Sequence, residues 1–231
     1  MKQTVWIREG FVLQTFPSAA GRQIDRISQM TVDAVEALFL KTNRLGFHGP
    51  IYFGSAFGPL ESLFSFNCVC EREGALRVSP SLFPSTVLNA PACQASIRHH
   101  LTGPIMNLST GNCSGVDALG LAALHLEQGG EREALVVLAE EASPVAAQMT
   151  GQMPREGAGA FLLSIEEGSI QVSGYEKSKQ QGPPCGGVAD LLEGLSNWKK
   201  EGGQQRECSA QQGAYRCLVR LTRRNKNGFT K

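Results

Sequence analysis

Residues 114–128, with the sequence SGVDALGLAALHLEQ, are apolar almost all round, and this stretch constrains the fold more than any other. A helix with this pattern is buried inside a protein rather than lying on its surface. A short apolar strand at residues 105–108 and a Gly/Ser/Thr-rich turn precede it. A strand, a sharp turn and a buried helix form the geometry that presents a side chain at a helix N-terminus. The residue at the apex of that turn therefore decides what chemistry is possible there.

Strands and helices alternate along the rest of the first 140 residues. Apolar runs predict strands at residues 5–14, 51–53 and 134–139, of which the last has the unbroken apolar sequence of a central strand. Helical periodicity predicts a helix that Ser28 or Thr31 caps and Gly46 ends, and further helices at residues 61–73 and from Ala90 onward. This alternation predicts a layered α/β fold with a mixed sheet.

The last third of the chain predicts four more elements. Residues 160–165 and 170–175 flank a Glu-Glu-Gly-Ser turn, which predicts a β-hairpin. An amphipathic helix is predicted at residues 188–199. The final alternating stretch, YRCLVRLT, predicts a strand at the edge of the sheet, since Arg216 and Arg220 share one face. We therefore divide the chain into a domain at 1–200 and a basic tail at 201–231 that includes this edge strand.

The charge of the chain favours no nucleic-acid or membrane partner. Its formal net charge is +1, with 42% hydrophobic and 19% charged residues, which is ordinary for a globular protein. No run approaches the roughly 18 to 20 apolar residues that a membrane span needs. The N-terminal sequence MKQTVWIREGF lacks the apolar core of a secretory signal. We therefore expect a cytoplasmic protein.

The seven cysteines are expected to be reduced thiols, because they are odd in number and no secretory signal precedes them. Cys68, Cys70 and Cys93, with His99 and His100, are the candidate metal ligands. Their spacing matches no common zinc pattern, and cysteine is often a small core residue. The short glycine-rich turns lack the lysine and the spacing of nucleotide-binding motifs. The sequence therefore predicts neither a metal nor a cofactor.

Several motifs, taken in order, resemble a known family. PSLFPSTVLNAPACQASIRHHLTGPIMNLSTGNCSGVDALGLAALHLEQG, then ALVVLAEE and REGAGAFLLSIE, are similar to the N-terminal half of the β-ketoacyl synthases. These enzymes condense acyl groups in fatty-acid and polyketide synthesis. The resemblance covers roughly residues 28–170. It implies a thiolase-type fold, one half of an αβαβα layered arrangement. It also implies dimerisation through the strand before the turn, formed by Ile105, Met106, Asn107, Leu108 and Ser109.

The resemblance also implies which residue stands at the nucleophile position. In these synthases the active cysteine lies nine residues after the glycine of the GP pair and three before the glycine that opens the next helix. Counting from Gly103 and from Gly115 gives Asn112 in both cases. Asn112 cannot attack an acyl group. Cys113 stands beside it, either as a small buried residue or as a displaced nucleophile.

The histidines point to a protein without condensing activity. A condensing site needs imidazole donors beside the thiolate, and in the family the C-terminal half supplies them. Here the histidines are His48, His99, His100 and His125, so none lies after residue 125, and the rest of the chain after Glu166 contains no second elbow-like motif. A half-fold is also expected to leave apolar sheet surface uncovered, which favours association with another chain.

The resemblance therefore implies a non-condensing subunit of the chain-length-factor type, in a fatty-acid or type II polyketide system such as an aryl-polyene cluster. Its expected partners are an active β-ketoacyl synthase and an acyl carrier protein. The residues expected to face the acyl tunnel are Phe83, Val87, Leu88, Thr110, Gly111 and Ser114. One alternative is an acyltransferase or thioesterase-like enzyme that uses Cys113 as its acyl-accepting thiol. Another is a homodimer with no acyl partner.

Overall fold

An eight-stranded mixed sheet forms the centre of the molecule. The computed structural model describes residues 3–13, 16, 24–201 and 203–224. The strands are β1 (Val5–Val12), β2 (Ile51–Gly54), β3 (Ile105–Leu108), β4 (Glu133–Glu140), β5 (Gly157–Ser164), β6 (Ile170–Lys179), β7 (Gln205–Gln212) and β8 (Tyr215–Arg223). Their order across the sheet is β3-β2-β4-β5-β1-β6-β8-β7. β2 is parallel to β3 and β4, and each remaining pair of neighbours is antiparallel.

The described residues also form six α-helices: α1 (Arg26–Thr42), α2 (Leu60–Glu73), α3 (Ala90–His99), α4 (Ser114–Glu127), α5 (Pro144–Thr150) and α6 (Val188–Glu201). The predicted ends of α1 are corrected. Asp25 caps its N-terminus by accepting from the Ser28 N–H at 2.9 Å. Asn43, in the left-handed conformation at φ 52°, ends it. Ser28 and Thr31 are instead buried within the helix.

The predicted hairpin of β5 with β6 is wrong, because β1 lies between these two strands. β1 pairs with both, so that Trp6 is opposite Ser164 on one side and opposite Gln171 on the other. The connection crosses the backbone of β1 at Gly168, where a Cβ atom would lie 2.7 Å from the Ile7 carbonyl oxygen. Glycine permits this close crossing, and two strands of the same direction replace the expected hairpin.

The final strand exists, but it is not an edge strand. β8 pairs with β6 on one side and with β7 on the other, so that β7 forms the edge. The two arginines do not require an edge, because carboxylates on both neighbouring strands reach them. Arg220 lies 2.9 Å from Glu176 of β6, and Arg216 lies 3.6 Å from Glu207 of β7. β7 and β8 thus belong to the same sheet as β1, although the domain boundary at residue 200 remains a prediction about folding units.

The core lies on both faces of the sheet. On one face, α1 and α3 pack against β2, β4 and β5 through residues such as Met30, Phe53 and Leu135. On the other face, α4 and α6 pack against the sheet, and the end formed by β6, β8 and β7 packs against α4 as well. The apolar helix predicted to be internal is therefore enclosed. The expectation of an uncovered apolar sheet is wrong on this face, because α4 and α6 cover it.

Candidate functional site

The turn between β3 and α4 is a tightly bonded elbow, defined here as residues 110–114. Gly111 adopts φ 62° and begins a single 3-10 turn, Gly111–Cys113, that leads directly into α4. The Ser114 hydroxyl accepts from the Thr110 N–H at 2.9 Å and donates to the Gly111 carbonyl at 2.6 Å. Thr110, Gly111 and Ser114, all predicted as site residues, therefore hold the shape of the elbow.

Asn112 lies half-buried in the 3-10 turn, and its backbone N–H donates to the Gln212 Oε1 atom at 3.2 Å. An amide side chain supplies no nucleophile for acyl transfer. The partner of this backbone amide is a side chain from the far end of the sequence, one hundred residues away. No local pattern in the sequence could have indicated that contact.

Cys113 is buried, with 1% of its surface exposed. Its Sγ atom lies 3.5 Å from the Ala210 carbonyl oxygen and 3.9 Å from the Tyr215 carbonyl oxygen, at the end of the β7–β8 hairpin. The thiol thus contacts the carbonyl groups of the sheet. An acyl-accepting thiol has to reach its substrate, so this placement does not favour the alternative in which Cys113 acts as a nucleophile.

A buried carboxylate, Asp117, anchors the elbow from within. It is 1% exposed and accepts from the Thr110 hydroxyl at 2.7 Å, the Tyr175 hydroxyl at 2.9 Å and the Lys177 ammonium at 2.8 Å. Burial alone would raise the pKa of Asp117, but hydrogen bonds from Cys217, Lys177, Thr110 and Tyr175 outweigh it and hold the pKa below its ordinary value. The carboxylate is therefore charged and ties β6 to the elbow.

The four histidines have other places in the fold. The His48 ring bonds the Thr102 hydroxyl at 2.6 Å, and the His99 ring bonds the Val32 carbonyl at 3.0 Å. His100 ends α3 in the left-handed conformation, and His125, near the far end of α4, bonds the Tyr52 hydroxyl at 2.6 Å. Among the described hydrogen bonds, no imidazole contacts the elbow. The rings of His48, His99 and His125 are thus held by partners outside the elbow.

Two buried carboxyls at the end of β4, Glu140 and Glu141, were not identified from the sequence. Glu140 ends β4 and accepts from the backbone N–H of Ala56 at 2.6 Å and of Phe57 at 3.3 Å, which holds the loop after β2. That loop in turn accepts from the Ser109 hydroxyl through the Ala56 carbonyl at 3.1 Å. Burial raises the pKa of Glu140 and of Glu141 to about 7. A Glu-Glu pair directly after a fully apolar strand was the available signal.

The predicted tunnel residues Phe83, Val87 and Leu88 lie on an exposed segment between α2 and α3. Their side chains are 57%, 36% and 53% exposed. Phe83 packs edge-on against Phe66 of α2, with ring centroids 6.1 Å apart, and Leu88 lies close to Gly58. This segment thus presents apolar side chains to the outside on the same side of the fold as the loop after β2.

The predicted dimer strand β3 forms one open edge of the sheet. The N–H groups of Ile51 and Ser55 donate to the Pro104 and Leu108 carbonyls at 2.9 and 3.1 Å. Because alternate residues of a parallel strand bond the same neighbour, Ile105 and Asn107 direct their backbone groups away from β2. Met106 is 48% exposed.

Beside β3 lies a groove of about 370 Å³, lined by apolar residues of β3 and α4 that include Leu121 and Leu124. The Oδ1 atom of Asn107 is buried without a hydrogen-bond partner among the described residues. This edge therefore has the features of an interaction surface: unpaired backbone groups, an exposed methionine and an apolar groove.

The part of the chain that the structure describes contains no cluster of three His, Cys, Asp or Glu residues arranged to hold a metal ion. In the same residues, no helix is long and apolar enough to cross a membrane.

Comparison with known proteins identifies the class to which this fold belongs. No family model matches the chain. Two curated relatives are both named 3-oxoacyl-[acyl-carrier-protein] synthase 2. The one from Rhizobium meliloti (strain 1021) is 34% identical over 73 residues, which cover 32% of this chain and 17% of the relative. The one from Vibrio harveyi is 27% identical over 150 residues, which cover 57% of this chain and 36% of the relative.

Solved structures match over nearly the whole chain. A ketosynthase in complex with its chain length factor, from Xenorhabdus doucetiae, matches with a TM-score of 0.69 and 20% identity over 96% of this chain and 100% of the matched one. The ishigamide ketosynthase/chain length factor matches with a TM-score of 0.72 and 18% identity over 87% of this chain and 82% of that one. A type II polyketide acyl carrier protein in complex with its ketosynthase matches with a TM-score of 0.76 and 14% identity, over 96% and 100% of the two chains.

These matches show a thiolase-type α/β fold with a mixed sheet, as predicted. The chain resembles the β-ketoacyl synthases in fold and in the matched stretches of sequence. It matches well under two thirds of the length of both curated relatives.

Proposed function

We propose that this chain is a non-condensing, chain-length-factor-like subunit that pairs with an active β-ketoacyl synthase. The observation that carries the proposal is a tight turn between β3 and α4 in which Asn112 stands at the position counted for the nucleophile and the neighbouring thiol, Cys113, is buried. Such an elbow retains the architecture of an acyl site without a group that can form a thioester. The matching structures include complexes of a ketosynthase with its chain length factor, which supports the same assignment.

The proposed partner contact is the open edge of β3. Ile105 and Asn107 offer unpaired backbone groups to an incoming strand, and the groove with Met106 offers apolar surface next to it. An added strand gains main-chain hydrogen bonds from the edge and side-chain packing from the groove. A ketosynthase is proposed as the partner because its equivalent strand would continue the same sheet.

The exposed segment with Phe83, Val87 and Leu88 is proposed to face the partner's acyl tunnel and thereby limit the length of the growing chain. Apolar side chains that are half exposed in one subunit are stabilised when a partner buries them. In this proposal the growing chain is delivered by an acyl carrier protein, in the cytoplasm, within fatty-acid or type II polyketide synthesis of the aryl-polyene kind. A homodimer through the same strand is the competing state.

Co-expression with a β-ketoacyl synthase encoded next to this gene tests the pairing. We expect the two proteins to elute together from gel filtration at micromolar concentration. Asn107→Pro removes an outward N–H of β3 and is expected to abolish co-elution, because proline cannot donate to a strand ladder. Asn107→Ala is the matched control, since it keeps that N–H and is expected to retain the complex. Separate elution of the unaltered proteins, or co-elution of the proline variant, would refute pairing through β3.

A further inference from the structure

The tip of the β7–β8 hairpin lies against the elbow. Gln212 is the last residue of β7, and a Cβ atom added to Gly111 would lie 2.6 Å from the Gln212 amide carbon. The same side chain accepts from the Asn112 N–H at 3.2 Å. Next to it, the Cys113 sulfur contacts the Ala210 and Tyr215 carbonyls. Three consecutive residues of the elbow therefore contact one hairpin.

The hairpin is held in this position from its other side. The Gln211 side chain is 5% exposed and donates to the Gly213 carbonyl at 3.0 Å and to the Gln180 carbonyl at 2.5 Å. Its backbone exchanges two hydrogen bonds with Cys185, at 2.9 and 3.2 Å. Gly213, at φ 56°, turns the chain between β7 and β8. A braced tip keeps Gln212 against the elbow at little entropic cost.

The Gln212 side chain accepts from the Asn112 N–H, and this N–H is a group that acyl chemistry could use. A backbone N–H at such an apex is a donor suited to the carbonyl oxygen of a bound thioester. The Gln212 amide oxygen is a neutral carbonyl acceptor and takes the same donor. An acyl group could bind there only after displacing an intramolecular partner that is already in place.

We propose that Gln212, an exposed residue at the tip of the β7–β8 hairpin, is an intramolecular plug whose side chain occupies the Asn112 N–H of the elbow and excludes a thioester carbonyl from this subunit. The inference rests on the proposed function only in taking the elbow for a former acyl site. The Gln212 contact is thus a second obstacle to acyl binding, in addition to the lack of a nucleophile at position 112. Restoring a thiol at position 112 would therefore not suffice to make the elbow accept an acyl group.

Hydrogen exchange of the elbow amides in the isolated, full-length protein tests the contact itself. In Gln212→Ala we expect exchange at the Asn112 amide to accelerate about fivefold or more, the factor that corresponds to one lost hydrogen bond. Gln212→Glu keeps an acceptor oxygen and is expected to restore slow exchange. Gln205→Ala, at the exposed opposite end of β7, is the matched control and is expected to leave it unchanged. Unchanged exchange in a folded Gln212→Ala variant would overturn the proposal.

A second measurement leaves Gln212 in place and so does not depend on the folding of its variants. Asn112→Cys protein is incubated with hexanoyl-N-acetylcysteamine, and thioester formation at each cysteine is read by peptide mass spectrometry. Exposed Cys185 is the internal reference. We expect position 112 to acylate at least about tenfold more slowly than Cys185, because thiol reactivity follows access. Acylation as fast as at Cys185 would overturn the plug. Neither assay involves a partner, so failure of pairing through β3 would be a separate result.

Discussion

At the scale of single residues, Asp117 explains how the elbow keeps its shape. Its carboxylate receives donors from the elbow, through Thr110, and from β6, through Tyr175 and Lys177. A buried charge is tolerated only when it is paired and hydrogen-bonded. Hydrogen bonds from these donors offset the cost of burial and hold the pKa of Asp117 below its ordinary value. The residue thus joins two distant parts of the chain.

Asp117→Asn is expected to lower the free energy of unfolding by about 2 kcal/mol, because it leaves the Lys177 ammonium without its carboxylate. Lys177→Met is expected to cost about 1 kcal/mol, since that side chain is 39% exposed and solvent screens its charge. Urea denaturation measures both values. Asp190→Asn, at an exposed ion pair with Arg155, is the control and is expected to change stability by less than about 0.5 kcal/mol. An equal loss in the control would contradict the role given to Asp117.

A second prediction at this scale concerns pH. Burial, together with the nearby charges of Asp25, Glu61 and Glu140, raises the pKa of Glu141 from 4.5 to about 7. A folded pKa above the unfolded one means that the folded state binds the proton more tightly, so stability is full below pH 4.5 and declines as the pH rises through 7. Glu141→Gln is expected to be about 2 kcal/mol more stable than the unaltered protein at pH 8 and nearly equal to it at pH 5.

Urea titrations at pH 5 and pH 8 check this expectation. Glu131→Gln, at an exposed position, serves as the matched control. A Glu141→Gln variant whose stability relative to the unaltered protein is the same at both values of pH would show that Glu141 does not titrate in this range.

At the scale of elements, α4 organises the fold, and its role was predictable only in part. Its apolar sequence showed that it is buried, and the strand and turn before it were located correctly. The packing of β7 near α4 could not be predicted. The sequence of β7, QRECSAQQ, is polar and has no pattern typical of a strand. That strand is specified by pairing with β8 rather than by its own pattern. The insertion of β1 between β5 and β6, in place of the predicted hairpin, also depends on pairing between distant segments.

The packing of α4 against β6 gives a prediction for Gly120. A Cβ atom at this position would lie 2.0 to 2.6 Å from ring atoms of Tyr175. The ring cannot move away without losing the hydrogen bond from its hydroxyl to Asp117. Gly120→Ala is therefore expected to destabilise the protein by about 2 kcal/mol, although alanine is the better helix former by about 1 kcal/mol.

Thermal unfolding of a double-mutant cycle isolates this contact. In a Tyr175→Ala background the clash is absent, so Gly120→Ala is expected to be neutral or stabilising there. Equal effects of Gly120→Ala in both backgrounds would show that the Tyr175 ring is not what requires glycine.

At the scale of the whole molecule, one sheet joins the first strand of the chain to the last. The sequence predicted the order of strands and helices up to about residue 165 except for α5, the helix Pro144–Thr150, which matched no predicted element. Each of the other strands and helices has its own local pattern. The residues of the candidate site were likewise predictable only in part. Asn112 and Cys113 were located by counting, whereas Gln212, Asp117 and Glu140 depend on contacts between distant segments that spacing does not encode.

The division of the chain at residue 200 can be tested by truncation. Cys217, Val219 and Leu221 of β8 are fully buried in the core that contains α4. A chain ending at residue 203 exposes that apolar surface, so we expect it to lose cooperative unfolding and to bind the dye ANS, as loosely packed states do. A control chain ending at Arg224 keeps every described strand and is expected to unfold like the full-length protein. Cooperative unfolding of the shorter chain would instead establish residues 1–200 as an independent folding unit, with β7 and β8 as an appendage.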